Sequence, residues 1–142
     1  MSVPAGLYII DASAWSRLNG PPVRKRIFAI LEAGLAATCL PLDLEDGRSA
    51  RSFRDATSMR NRRGELMTEL PITTAVATRA RDLQLALTQR GHHRAASPVD
   101  LIVAASAAEY GATVVHYDFD FDLIADVGGP RCEWVAPAGT LP

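Results

Sequence analysis

Leu7-Tyr8-Ile9-Ile10-Asp11-Ala12-Ser13-Ala14-Trp15 decides how this chain is read. Apolar residues run straight into a carboxylate, with no polar residue alternating among them. A run of this kind is a strand covered on both faces, the pattern of parallel sheets. Asp11 then stands at the mouth of the core, where a carboxylate without a partner is costly to bury. Three more acids occupy similar places. Glu45 follows Leu40-Pro41-Leu42 at a predicted helix start, Asp100 opens Leu101-Ile102-Val103-Ala104-Ala105, and Asp118 closes Val114-Val115-His116-Tyr117. Carboxylates at the carboxyl ends of parallel strands converge on one edge of an open α/β sheet, where ligands bind. Such a cluster repels itself unless a divalent cation neutralises it.

Working outward, short apolar strands are predicted at residues 7–10, 36–40, 113–117 and 133–136. After Asp11 a brief helix begins, broken by Asn19-Gly20-Pro21-Pro22. Helices are predicted at 23–35, from Pro41 through Glu45, at 54–70, at 74–90, from Ser97 to Tyr110 and at 119–127. Ser97-Pro98-Val99-Asp100 is a helix start in itself: Ser97 at the N-cap, Pro98 in the first turn, Asp100 at the third position. Asp46-Gly47 is a poor helix sequence and weakens the segment that carries Glu45. Strands alternating with helices predict an α/β fold with a parallel sheet. No repeat, linker or low-complexity stretch divides residues 1–142, which predicts a single domain.

With 48% apolar residues, the 142-residue chain is expected to build a real core. Its formal net charge of -1 carries no global signal for nucleic acid, although Arg48, Arg51, Arg54, Arg60, Arg62 and Arg63 crowd one stretch. Cys39 and Cys132 are read as free thiols of a cytoplasmic protein, and neither a signal peptide nor a membrane span is expected.

The chemistry follows from donor type. Carboxylate oxygens without a nearby imidazole or thiolate cluster select magnesium or manganese. Such a cation activates water and stabilises charge developing on a phosphate. Other readings fail on the residues. Asp118-Phe119-Asp120-Phe121-Asp122 starts like a calcium loop, but Leu123 and Gly129 stand where that loop needs glycine and glutamate. A phosphatase of the haloacid dehalogenase type wants a second aspartate two residues after the first, where Ser13 stands. Neither GxxxxGK[ST] nor GxGxxG occurs. Ser13 is assigned to orienting Asp11 or a water on the cation, with a helix cap as its plainer role. Asp100 and Asp118 have plain roles too, as helix-terminal acids worth about 0.3–1 kcal/mol.

Four segments together resemble a known family. Ile9-Ile10-Asp11-Ala12-Ser13-Ala14-Trp15 resembles the opening of PIN domains, in particular of VapC-type toxins. Cys39-Leu40-Pro41-Leu42-Asp43-Leu44-Glu45, Ser97-Pro98-Val99-Asp100-Leu101-Ile102-Val103-Ala104-Ala105 and His116-Tyr117-Asp118-Phe119-Asp120-Phe121-Asp122 resemble the segments carrying that family's other acids. The resemblance implies a single PIN-like domain, with a central parallel sheet of four to five short strands flanked by helices. It implies an endoribonuclease using Mg²⁺, with Mn²⁺ able to substitute, and a toxin silenced by a cognate VapB-type antitoxin. Homodimers and higher toxin–antitoxin complexes, and structured substrates such as transfer or ribosomal RNA, belong to the same implication. The metal-binding acids carry over to Asp11, Glu45, Asp100 and Asp118, with Asp120 sharing the fourth place. Asp46-Gly47 departs from the family, where an apolar residue usually follows the second acid.

Arg48, Arg51 and Arg94 are candidates for RNA phosphates, and the first two also for acidic groups of the antitoxin. Arg60, Arg62 and Arg63 read as a solvated face balanced by Asp46, Asp55, Glu65 and Glu69. Trp15 is a candidate for base stacking or for an interface. The alternatives are a catalytically weak PIN-like module that binds RNA or protein, and a metal-dependent DNA nuclease.

Overall fold

The computed structural model describes residues 3–142. Five short strands form one sheet: β1 (Tyr8–Ile10), β2 (Ala36–Thr38), β3 (Thr68–Glu69), β4 (Thr113–His116) and β5 (Cys132–Trp134). Their spatial order is β3-β2-β1-β4-β5, and every neighbouring pair is parallel. Seven helices connect them: α1 (Ala12–Trp15), α2 (Pro21–Glu32), α3 (Leu40–Gly47), α4 (Phe53–Leu66), α5 (Thr74–Gln89), α6 (Pro98–Tyr110) and α7 (Asp120–Asp126).

The unbroken apolar strands follow from burial on both faces. Ile9, Ala37 and Val114 point into one core cluster, with Leu83 and Leu87 of α5, Val103 of α6 and Phe121 of α7. Their chain neighbours Ile10, Ala36 and Val115 point the other way, against Ala14 of α1 and Val23, Ile27 and Ile30 of α2. A period of two, with both sides covered, makes the middle of β1 and β4 apolar and leaves polar side chains to the strand ends and the sheet edges. Among the described residues, no helix is long and apolar enough to cross a membrane.

Several boundaries differ from expectation for identifiable reasons. Residues 54–70 divide, because α4 stops at Leu66 and Thr68–Glu69 pairs with β2 as a fifth strand. Pro21 and Pro22 open α2 instead of ending a loop, since neither needs an N–H donor in the first turn. Gly47 closes α3, so Asp46-Gly47 shortens that helix without preventing it. Gly111 ends α6 at φ 66°, a conformation glycine adopts without a Cβ penalty.

The strand order fixes where a ligand can sit. From β1 the chain steps outward through β2 to β3, then returns to β4 on the opposite side of β1. The crevice beyond the carboxyl ends of β1 and β4 is therefore the topological switch point. Asp11 and Asp118 are the residues that leave those two strands at or near this edge.

Candidate metal centre

Asp11 is buried, at 5% exposure, and caps α1. Its Oδ2 accepts the Ser13 backbone N–H at 3.0 Å and the Ser13 hydroxyl at 2.6 Å. Ser13 Oγ in turn accepts the Tyr117 N–H at 2.9 Å. One hydroxyl thus ties the carboxylate after β1 to the backbone after β4. The cap of α1 is thus Asp11 and not Ser13, which sits in the first turn and bonds Asp11 through both its N–H and its hydroxyl.

Asp100 approaches from α6. Ser97 Oγ accepts the Asp100 N–H at 3.1 Å, and Asp100 Oδ2 accepts the Ser97 N–H at 3.1 Å, a reciprocal capping box. This fixes the carboxylate while leaving its other oxygen free. Burial pushes the Asp100 pKa from 3.8 to about 6; the Ser97 backbone bond opposes this, and the charges of Asp11 and Asp118 add to it.

Asp118 and Asp120 share a turn, in which the Asp120 N–H donates to Asp118 Oδ1 at 2.9 Å. Helix α7 begins at Asp120, with Phe119 as its N-cap and no side-chain cap, so Asp118 does not take the usual capping position. Burial raises the Asp120 pKa, and the neighbouring Asp118 charge adds to it. One oxygen each from Asp100, Asp118 and Asp120 lie within 4.8 Å of one another. The sequence left the fourth acid open between Asp118 and Asp120; the fold brings both to Asp100.

Glu45 is exposed on α3, and its carboxylate is not among these three. Its neighbour Asp46 is drawn instead toward α4, where Arg63 Nη1 lies 3.7 Å from Asp46 Oδ2. Arg63 is no solvated residue. Its side chain is 15% exposed, its Nε donates to Asp43 Oδ1 at 2.8 Å, and its Nη2 donates to Thr38 Oγ1 at 2.8 Å. The Thr38 hydroxyl donates to the same Asp43 oxygen at 2.7 Å, so β2, α3 and α4 are pinned together beside Glu45. Sequence reasoning missed this network, whose only trace is an arginine twenty residues beyond an aspartate. Arg48, Arg51 and Arg94 are exposed, as is Arg60. A cleft of about 700 Å³ between α3 and α4 is lined by Leu40, Leu44, Arg48, Met59 and Arg60 among others, and by none of the clustered acids. Trp15 is partly buried against the α2 side of the core.

The donor set fits a hard divalent cation. It is all oxygen, it has free lone pairs on several carboxylates, and burial together with the charges of Asp11 and Asp118 holds Asp100 above the usual carboxylate range.

The PIN domain family model matches residues 8–127. Ribonuclease VapC21 of Mycobacterium tuberculosis is 41% identical over 133 residues, covering 94% of this chain and 96% of that protein. Ribonuclease VapC51 of the same organism is 38% identical over 140 residues, covering 94% of this chain and 96% of that protein. Among solved structures, DNA-bound VapBC from Salmonella typhimurium matches with a TM-score of 0.69 at 16% identity, covering 92% of this chain and 99% of that one. VapBC2 from Rickettsia felis, bound to a DNA fragment from its promoter, matches with a TM-score of 0.71 at 13% identity, covering 90% and 98%. These last two are likenesses of fold.

Proposed function

This chain belongs to the PIN domain family, among its VapC-type members, and from that premise we propose that it is the ribonuclease toxin of a type II toxin–antitoxin pair. It is an endoribonuclease that uses Mg²⁺ or Mn²⁺ to hydrolyse phosphodiester bonds of structured RNA, transfer or ribosomal. A VapB-type antitoxin neutralises it, it assembles as a homodimer, and it works in the cytoplasm as one domain over residues 1–142. The observation that carries this reading is the convergence of Asp100, Asp118 and Asp120 at the switch point beside the buried Asp11.

Asp100, Asp118 and Asp120 would hold the cation through their free oxygens, and the buried Asp11 would add its negative charge. Glu45 completes the site directly or through water. When bound, a divalent cation activates water and neutralises charge on the phosphate during in-line displacement. The residues do the rest by position. The Ser13 hydroxyl donates to Asp11 and the Ser97 N–H donates to Asp100, orienting both carboxylates. Without a cation the same acids repel a phosphodiester, so binding and cleavage share one dependence. Arg48, Arg51 and Arg94 supply exposed positive charge for the RNA backbone, and Arg48 with Arg60 borders a cleft suited to the antitoxin. Trp15 contributes packing beneath α1.

Purified protein incubated with structured RNA and with DNA of matched length tests the substrate class. RNA is expected to be cut with Mg²⁺ or Mn²⁺ while DNA stays intact; preferential cutting of DNA overturns the assignment.

A further inference from the structure

His116 ends β4 two residues before Asp118 and is completely buried. Its Nδ1 accepts the Asp118 N–H at 3.1 Å. A ring nitrogen that accepts carries no proton, so the neutral imidazole holds its proton on Nε2. That nitrogen is buried with no hydrogen-bond partner among the described residues. The ring packs against Phe121 and Trp134, each with its centroid 5.0 Å away. Trp134 is held in turn, because its Nε1–H donates to both oxygens of Asp122, at 3.1 and 3.2 Å. Burial lowers the His116 pKa, with Asp122, Asp11 and Asp118 pulling against it.

A buried ring nitrogen needs a partner, and Nδ1 of His116 finds it on the turn beside the acid cluster. This one accepts the N–H of the residue whose carboxylate enters the cluster, and that carboxylate accepts the Asp120 N–H. The order of support runs from Asp122 through Trp134 to the His116 ring, then to the Asp118 backbone and both carboxylates. We propose that His116 is a positioning residue, whose Nδ1 lone pair fixes the Asp118–Asp120 turn so that both carboxylates face Asp100. For its effect on metal binding, this rests on the reading of the acids as a cation site.

Two variants separate the lone pair from the ring. His116→Phe keeps an aromatic between Phe121 and Trp134 but leaves the Asp118 N–H without an acceptor. His116→Asn keeps an acceptor near Nδ1 and loses ring volume. Both are measured by amide hydrogen exchange in the metal-free protein and by Mn²⁺ binding followed by electron paramagnetic resonance. In His116→Phe the Asp118 amide is expected to exchange at least about tenfold faster, with Val114 and Val115 unchanged, and Mn²⁺ affinity to fall about tenfold, the usual scale for a supporting partner of a metal ligand. His116→Asn is expected to recover most of both. In the parent protein, ring ¹⁵N shifts are expected to show the proton on Nε2.

Parental Asp118 exchange in His116→Phe overturns the proposal. So does an asparagine variant no better than the phenylalanine one, or a parent ring protonated on Nδ1. If His116→Phe does not fold, the asparagine variant and the parent's ring shifts decide. A parent that binds no Mn²⁺ sinks the metal reading instead, and the metal-free exchange still decides the role of His116.

Discussion

Asp100→Asn is expected to make the metal-free protein more stable and the metal-loaded protein less so. Asp100 is forced to ionise in a half-buried place beside Asp11 and Asp118, which pushes its pKa from 3.8 to about 6. At about 1.4 kcal/mol per pH unit, that gap corresponds to about 3 kcal/mol of strain on the ionised fold. The group is partly open to solvent, which screens the charge and cuts the gain to about 1–2 kcal/mol. Asparagine can still accept the Ser97 N–H, so the cap survives. For a domain of this size the melting temperature in EDTA should rise by about 3–6 °C. The sign of the pH dependence is fixed. The raised pKa favours the folded parent at low pH, and this advantage is lost as pH climbs through about 6. The variant's gain therefore grows between pH about 4 and about 6 and levels off above. Saturating Mn²⁺ reverses the order, because a cation at a hundred times its dissociation constant adds about 2.7 kcal/mol to the parent alone. Thermal unfolding of both proteins in EDTA and in Mn²⁺, from pH 4.5 to 8, reads all of this. A variant less stable than the parent in EDTA would show that Asp100 is not strained by ionisation, and one equally stabilised by Mn²⁺ that it is not a ligand of the cation.

Other outcomes follow from the same geometry. Mn²⁺ affinity should weaken as pH falls below about 6, approaching tenfold per pH unit as protonation of Asp100 competes with the cation, and calorimetric titration reads it. Ser13→Ala leaves the Tyr117 N–H without its acceptor and should cost about 1–3 kcal/mol in chemical denaturation, with weaker metal binding. Arg63→Met unties β2, α3 and α4 and should cost about 1–3 kcal/mol while leaving the Mn²⁺ affinity of Asp100, Asp118 and Asp120 within about threefold. Glu45→Gln, on an exposed residue outside the close carboxylate group, should weaken Mn²⁺ binding less than Asp118→Asn does.

The sheet was legible because burial on both faces leaves a plain trace. Leu7 to Ile10 and Val114 to Val115 have no alternative once the strands are parallel. The α6 start was legible because Ser97, Pro98 and Asp100 each act within one turn. Strand β3 was not, since Thr68–Glu69 is two residues long, half exposed and joined only to β2. Local pattern carries no information about a pairing that short. Within the candidate site, the positions of Asp11, Asp100 and Asp118 at element ends were legible, and the structure places them there. The joint arrival of Asp118 and Asp120 depends on a turn closed by one backbone bond. Arg63 was misjudged because charge pattern cannot show that a helix face is covered by its neighbour. His116 passed as an apolar strand residue, and only the direction of its Nδ1 reveals its link to Asp118.

Clustered carboxylates that hold a divalent cation make RNA hydrolysis wholly dependent on that cation. The most direct test is the initial rate of cleavage of one structured RNA by the purified protein, titrated with Mn²⁺ after exhaustive chelation, with Asp100→Asn alongside. The rate is predicted to rise from background, saturate, and return to background on EDTA addition, and the variant should stay at background throughout. Cleavage that persists unchanged in chelator, or a variant matching the parent, rules out a cation held by these carboxylates.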